Sequence, residues 1–182
     1  MLVLSGLPTR PIMFGGTPEQ QQKWLPALSA GDRKAAFCLT EPDHGSDAAA
    51  LETRATRDGD DYVLNGNKVY ISGGTVADQL TVFARTGGPG AKGISAFVVD
   101  AHAAGVRIDR TDDKMGVRSV PTAHFSFSDV RVPAENLLGG VEGQGFNHAM
   151  LTLNSMRPTV GARGVGLAEG AAGYAMEWAR ER

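Results

Sequence analysis

The sequence has a single cysteine, Cys38, in 182 residues, which excludes an intrachain disulfide framework and suits a reducing compartment. Cys38 sits in an apolar, strand-like run with no adjacent His or Lys, so its expected role is packing. No uninterrupted apolar run reaches the roughly 20 residues that a membrane-spanning helix needs. With 42% hydrophobic and 21% charged residues, the composition is that of a soluble globular chain. Basic excess is also missing: Lys and Arg number 18 against 20 Asp and Glu, a formal charge of -2, which gives no electrostatic support for a nucleic acid or an anionic membrane as partner. The four histidines, His44, His102, His124 and His148, show neither i,i+4 nor Cys-paired spacing, so no metal site is expected. GGPGAKG lacks the phosphate-loop spacing and reads as a hairpin loop. GARGVG follows no strand and does not stand as a dinucleotide fingerprint. The opening MLVLSGLPTRPIM is apolar but short, broken by Gly and Pro, and followed by no small-residue cleavage site, so it does not read as a signal peptide.

What is present falls into three zones, enough for one domain or for one domain with pieces of its neighbours. In the first, over residues 1–35, Thr17, Pro18 and Gln20 form a helix start with a capping box. Trp24, Leu25 and Leu28 supply the apolar face, and Gly31 the stop. Residues 36–138 read as short strands separated by turns. Asn65-Gly66, between two apolar runs, is a hairpin signal. Ala123, Phe125 and Phe127 alternate strictly and so share one face. Repeated strands at this spacing predict an antiparallel barrel or sandwich. From residue 139 to 182 helical spacing returns in Phe146, Met150 and Leu153, and again in Ala171, Tyr174 and Trp178. Gly161, Gly164, Gly166 and Gly170 weaken helix propensity and suggest close helix packing or breaks. The fold class expected is α+β: a middle β domain, 36–138, between partial helical domains, 1–35 and 139–182. The last helix reaches Arg182 without a cap, the pattern of a fragment.

One stretch calls for more than packing. In AFCLTEPDHGSD, Glu41-Pro42 forces an extended or turn conformation at a strand end, Gly45 offers a backbone angle that other residues resist, and Thr40 and Ser46 place hydroxyls near free amides. VYISGG ends a second apolar run in the same way at Ser72. Two hydroxyl-tipped strand ends in one β unit point to a shared ligand.

Taken in order, AFCLTEPDHGSD, DDYVLNGNKVYISGG, KMGVRSVPTAHFSFSDVRVPAENLLG and EGQGFNHAMLTLNSMRPTVGARGVGLAE resemble the acyl-CoA dehydrogenase family over nearly the whole chain. The resemblance implies FAD as cofactor and an acyl-CoA thioester as substrate, dehydrogenated between its α and β carbons. It places Phe37, Leu39, Thr40, Gly45 and Ser46 beside the flavin, with the Thr40 hydroxyl and nearby main chain bonding the ring, and gives Ser46 a second role against the pantetheine arm. Tyr70, Ile71 and Ser72 match the second flavin segment. The Ser72 hydroxyl would point at the ring near N5, where a donor stabilises negative charge as hydride arrives. Asn154 and Arg157 match the helix that approaches the CoA thioester and nucleotide arm; alternatively they form a solvated polar pair.

No catalytic residue is assigned. The Glu that some relatives carry next to the Arg157 position is Met156 here, most relatives place it further downstream, and Glu142, Glu169 and Glu177 match neither location. The chain alone is therefore expected to be inactive and to bind FAD weakly, since the family builds its flavin site across a dimer contact. The resemblance further implies a homo-oligomeric parent, dimer or tetramer, with electron-transfer flavoprotein as acceptor, located in the cytoplasm or, in a eukaryote, the mitochondrial matrix. Likeness to isobutyryl-CoA and glutaryl-CoA dehydrogenases leans the substrate toward short chains. An acyl-CoA oxidase and a non-enzymatic β-barrel interaction module remain alternatives. The flavin reading requires that Thr40 and Ser72 converge.

Overall fold

The computed structural model describes residues 2–182, with side chains from residue 6 onward. Residues up to Thr152 form one compact unit and Leu153–Arg182 a second. The first unit opens with two helices, α1 (Leu2–Gly15) and α2 (Pro18–Ala30). Seven strands follow: β1 (Ala35–Cys38), β2 (Arg54–Asp58), β3 (Asp61–Ser72), β4 (Gln79–Arg85), β5 (Ile94–Asp100), β6 (Val106–Thr111) and β7 (Thr122–Pro133). The last helix, α3 (Gly145–Glu181), begins in the first unit and makes up nearly all of the second.

Helix α2 forms as its residues dictate. The Thr17 hydroxyl accepts from the Gln20 amide, the Gln20 side chain accepts from the Thr17 amide, and Gly31 closes the helix in the left-handed region at φ 85. Gln20 also reaches beyond its own helix, where its Nε2 donates to the Glu135 and Leu137 carbonyls and its Oε1 accepts from the Gly139 amide. The cap is thereby tied to the segment that leaves β7. Helix α1 is not expected from local sequence, because Pro8 and Pro11 lie inside it. Pro8, Pro11 and Ile12 are buried, and the Thr81 hydroxyl of β4 donates to the Pro8 carbonyl. Tertiary burial thus offsets the propensity cost of two prolines.

All seven strands join one sheet, in the order β1-β4-β2-β3-β7-β6, with β5 on the other edge of β4. The sheet is mixed. Most pairs are antiparallel, but β1 runs parallel to β4, and β2 meets β4 in parallel at Arg54 and Arg85. Phe97 and Val99 of β5 share one core with Phe125, Phe127 and Val130 of β7. Strands so far apart in the order meet only if the sheet curls on itself, giving a half-barrel filled by Leu64, Ile71, Leu80 and Val82. Strand β4 is buried from Gln79 to Ala84, because its other face is covered by α1, where Thr81 meets the Pro8 carbonyl, with Phe83 tilted on Phe37 of the neighbouring β1 at 4.9 Å. Burial on both faces explains a continuous apolar run where alternation would otherwise be expected. As expected, Ala123, Phe125 and Phe127 share the core face, and GGPGAKG lies in the loop joining antiparallel β4 and β5.

The Asn65-Gly66 hairpin is corrected. These residues lie inside β3, and the turn is one element earlier, between Asp58 and Asp61, with Gly59 at φ 63. Asn65 instead clasps an irregularity in β7: its side chain donates to the Asp129 carboxylate and accepts from the Asp129 amide, 3.0 and 2.9 Å away, where Asp129 has φ 51. Gly66 is required for close approach, since a Cβ there would stand 2.7 Å from Thr53 Cα. Strand β2 carries little apolar signal, because only Ala55 of its five residues is buried.

In the second unit, α3 runs through Gly161, Gly164, Gly166 and Gly170 unbroken, and a Cβ at any of them would meet open space. Of the two expectations for these glycines, close packing or a break, the structure shows no break. Val160, Val165, Leu167, Tyr174, Met176 and Trp178 are exposed along it. Among the described residues no helix is long and apolar enough to cross a membrane, and no His, Cys, Asp and Glu cluster could hold a metal ion.

Candidate functional site

The sheet splits where β1 ends and β2 begins, and the chain between them leaves as a loop. At this split the Val69 amide of β3 donates to the Thr40 carbonyl at 2.9 Å. Lys68, one residue earlier and fully buried, donates from Nζ to the Leu39 carbonyl at 3.0 Å and to Glu41 Oε1 at 2.8 Å. Glu41 also accepts the Glu52 and Thr53 amides, 2.6 and 2.9 Å away, which closes the base of the loop. Burial pushes the Glu41 carboxyl up, but the Lys68 charge and the Glu52 amide outweigh it and hold the group below the ordinary carboxylate value. The same burial pulls the Lys68 ammonium below its usual value, with Glu41 opposing. Cys38 lies nearby in the core, its thiol pushed up to about 12 by burial. At neutral pH it is a packed, protonated thiol, in keeping with the packing role expected of it.

The far side of the loop is clamped by Arg85. Its guanidinium donates to the Ala49, Leu51, Gly88 and Gly90 carbonyls. A cleft of about 780 Å³ opens between Asp47, Glu52, Arg54 and Arg85 on one side and the glycine-rich loop 87–90 on the other.

Thr40 and the segment carrying Tyr70, Ile71 and Ser72 are thus brought side by side: the strand that bonds Thr40 through Val69 reaches Ser72 three residues later. Thr40 is half-buried and Ser72 exposed, and neither hydroxyl has a hydrogen-bond partner among the described residues. Tyr70 is 63% exposed and holds a left-handed φ of 59, at a register shift between β3 and β7. Its ring stands edge-on to His124, with centroids 5.1 Å apart, and His124 Nε2 lies 2.9 Å from Asp112 Oδ1. An aromatic residue at positive φ is a strained conformation. Ile71 points into the core, and Leu39 is buried with its carbonyl already engaged by Lys68. The side chains of these two serve packing, and Ile71 offers a ligand only main chain. Phe37 is half-buried against Phe83.

Ser46 is exposed at the loop surface. Gly45 corrects its expected role: it is not among the residues with positive φ, and a Cβ on it would meet nothing within 4 Å. The loop turns through a mutual pair of backbone bonds between Glu41 and His44 instead. In the second unit, Asn154 and Arg157 are both exposed, and the Arg157 guanidinium donates to Asn154 Oδ1. Glu142 lies in the first unit and accepts from the Tyr62 hydroxyl at 2.5 Å.

Sequence reasoning misses the Lys68-Glu41 pair. Its signal in the sequence is a lysine in the inward phase of a strand: Leu64 and Lys68 are both buried, with Asn65 and Asn67 exposed between them.

The model of the acyl-CoA dehydrogenase middle domain matches residues 36–130. A short-chain specific acyl-CoA dehydrogenase from Clostridium acetobutylicum is 43% identical over 168 residues, covering 92% of this chain and 44% of that protein. A probable acyl-CoA dehydrogenase from Mycobacterium abscessus superposes with a TM-score of 0.93 at 41% identity, over 97% of this chain and 47% of the other. A glutaryl-CoA dehydrogenase from Mycobacterium smegmatis, solved in complex with FADH2, superposes with a TM-score of 0.76 at 37% identity, over 85% and 39%. The chain spans less than half the length of these relatives.

Proposed function

The chain belongs to the acyl-CoA dehydrogenase family, and from that premise we propose that it supplies the flavin-facing β unit of an FAD-dependent oxidoreductase that dehydrogenates an acyl-CoA between its α and β carbons. The observation that supports the reading is that two unpartnered hydroxyls, Thr40 and Ser72, are carried by segments tied together by the Val69-to-Thr40 bond. A planar heterocycle with carbonyl and ring-nitrogen acceptors satisfies both hydroxyls, while the exposed Tyr70 ring beside Ser72 offers an aromatic wall. The FADH2 held by the glutaryl-CoA dehydrogenase neighbour supports the choice of cofactor.

When bound, FAD supplies the hydride acceptor. The chain's own residues act by position: Thr40 and Ser72 donate to the ring, Ser72 toward the edge that gains negative charge. Tyr70, at the same strand end, helps keep water from that edge. Ser46 is assigned to the pantetheine arm, a contact that helps orient the α-proton for a carboxylate base. Asn154 and Arg157, in the second unit, are assigned separately to the acyl-CoA. That base is not Glu142, which holds the Tyr62 hydroxyl, nor Glu41, which is committed to Lys68. We assign it to a part of the enzyme outside these 182 residues, so the chain by itself does not turn over substrate. The middle domain is taken as 36–138, with helical neighbours on both sides. The short-chain specific relative supports a short acyl group. Electron-transfer flavoprotein is the proposed acceptor, and a homo-oligomer the proposed assembly.

The test is a titration of the purified chain with FAD, read by visible absorption. Saturable sharpening and shift of the flavin bands is expected, weak in the chain alone and abolished in Thr40→Val/Ser72→Ala. A spectrum identical to free FAD at every concentration overturns the reading.

A further inference from the structure

Lys68 and Glu41 take no part in the chemistry proposed above, yet they lie directly behind it. A buried ion pair is poor evidence of stability, because apolar side chains of equal volume often hold a fold as well or better. What this pair does provide is direction. Lys68 grips the carbonyl just before Thr40 and the carboxylate just after it, while Val69 grips the carbonyl of Thr40 itself. Three consecutive residues of the turn are therefore fixed by two consecutive residues of β3, the strand that ends in Ser72. Glu41 extends the hold to the returning chain through the Glu52 and Thr53 amides. Side chains that only filled the volume would leave the Leu39 carbonyl and the Glu52 and Thr53 amides without these partners, and the turn held by the Val69 main-chain bond alone.

We propose that Lys68 and Glu41 are positioning residues, which lock the Thr40 turn to β3 and so set the distance between the Thr40 and Ser72 hydroxyls. The assignment rests on the flavin reading for its purpose, but its physical content is the locked turn. Neither residue touches the ligand; both act through main chain. In the same way, the loop bearing Ser46 is held at its base by the Glu41 carboxylate.

The test compares the chain with Glu41→Gln/Lys68→Met, which removes both charges and keeps the volume. Melting temperature reports folding, amide hydrogen exchange at Val69 and Thr53 reports the lock, and the FAD titration reports the site. The double variant is expected to fold, with exchange at both amides faster by at least about tenfold, the loss of one charge-assisted hydrogen bond, and with FAD affinity reduced in proportion. Should it fail to fold, Glu41→Leu/Lys68→Met, which leaves neither a buried charge nor an unpaired side-chain polar group, carries the same comparison. Unchanged protection at Val69 and Thr53 in a folded variant overturns the proposal, whether or not FAD binds. Faster exchange together with a wild-type chain that leaves the FAD spectrum unchanged upholds the lock and overturns the flavin reading alone.

Discussion

Strands β3 and β4 belong to the same sheet, and their residues line the same core, but only one keeps a regular register. β4 pairs residue for residue with β5 from Gln79 to Arg85. β3 slips twice against β7, between Leu64 and Gly66 and between Lys68 and Ile71. β4 is buried on both faces and carries packing. β3 holds the close approach at Gly66, the buried charge of Lys68 and the strained Tyr70, and it is the strand from which the candidate site is built. Irregular register exposes what regular pairing would hide: a bulge turns Tyr70 outward and lets Ile71 return to the core. Strain placed beside a candidate site is a recurrent feature of functional segments.

The comparison can be broken first in the regular strand. Phe83→Ala empties a fully buried site in β4 and is expected to destabilise by about 4 kcal/mol, measured by denaturant unfolding, with no change in the slope of the transition. In β3 the largest effect is electrostatic. Lys68→Met strands the Glu41 carboxylate and is expected to cost about 3 kcal/mol at neutral pH. In the wild type the folded pKa of Glu41 is depressed, so its contribution is present above the unfolded value of about 4.3 and is lost as pH falls through the folded value. In the variant burial is opposed only by the Glu52 and Thr53 amides, so the depression shrinks, and with it the stability present above the unfolded value. The melting gap between the two proteins should therefore be full at neutral pH and narrow as pH falls through about 4; a constant gap would show that the charges are not what Lys68 contributes.

A smaller effect is expected at Gly66→Ala, where a Cβ meets the Thr53 main chain at positive φ, a cost of about 2 kcal/mol. An unshifted denaturation midpoint would mean that the slip at this residue is free to relax. The smallest prediction has the opposite sign. Tyr70→Gly relieves a left-handed φ and is expected to raise stability by up to about 1 kcal/mol, while Val82→Gly in β4 destabilises. If both lower the melting temperature equally, the two strands do not differ in strain as described.

Local signals are legible where local physics decides. The capping box, the proline at the first helical position and the terminal glycine of α2 each satisfy groups within a few residues. The alternation of Ala123, Phe125 and Phe127 survives because one face of β7 is buried over that span. Asn65-Gly66 misleads because the same pair serves a tight turn or a close approach equally well, and which one forms depends on Thr53 and Asp129 arriving from elsewhere. Gly45 misleads in the reverse sense, its freedom being unused. Of the candidate site, the hydroxyls of Thr40 and Ser72 are legible as strand-end chemistry. Their support is not, since Lys68 and Glu41 are 27 residues apart in the chain and their pairing is visible only once β1 and β3 are neighbours.

The sequence alone determined the class of the fold, the helix α2, the apolar faces of the strands and the two hydroxyl-bearing ends, because each follows from contacts short enough in sequence to be encoded by residue type and period. The tertiary structure alone decided the curl of the sheet, the survival of α1 despite its prolines, the two slips of β3 and the buried ion pair. Each of these depends on segments meeting across the fold, where the energy of burial and of satisfying a desolvated charge outweighs local preference.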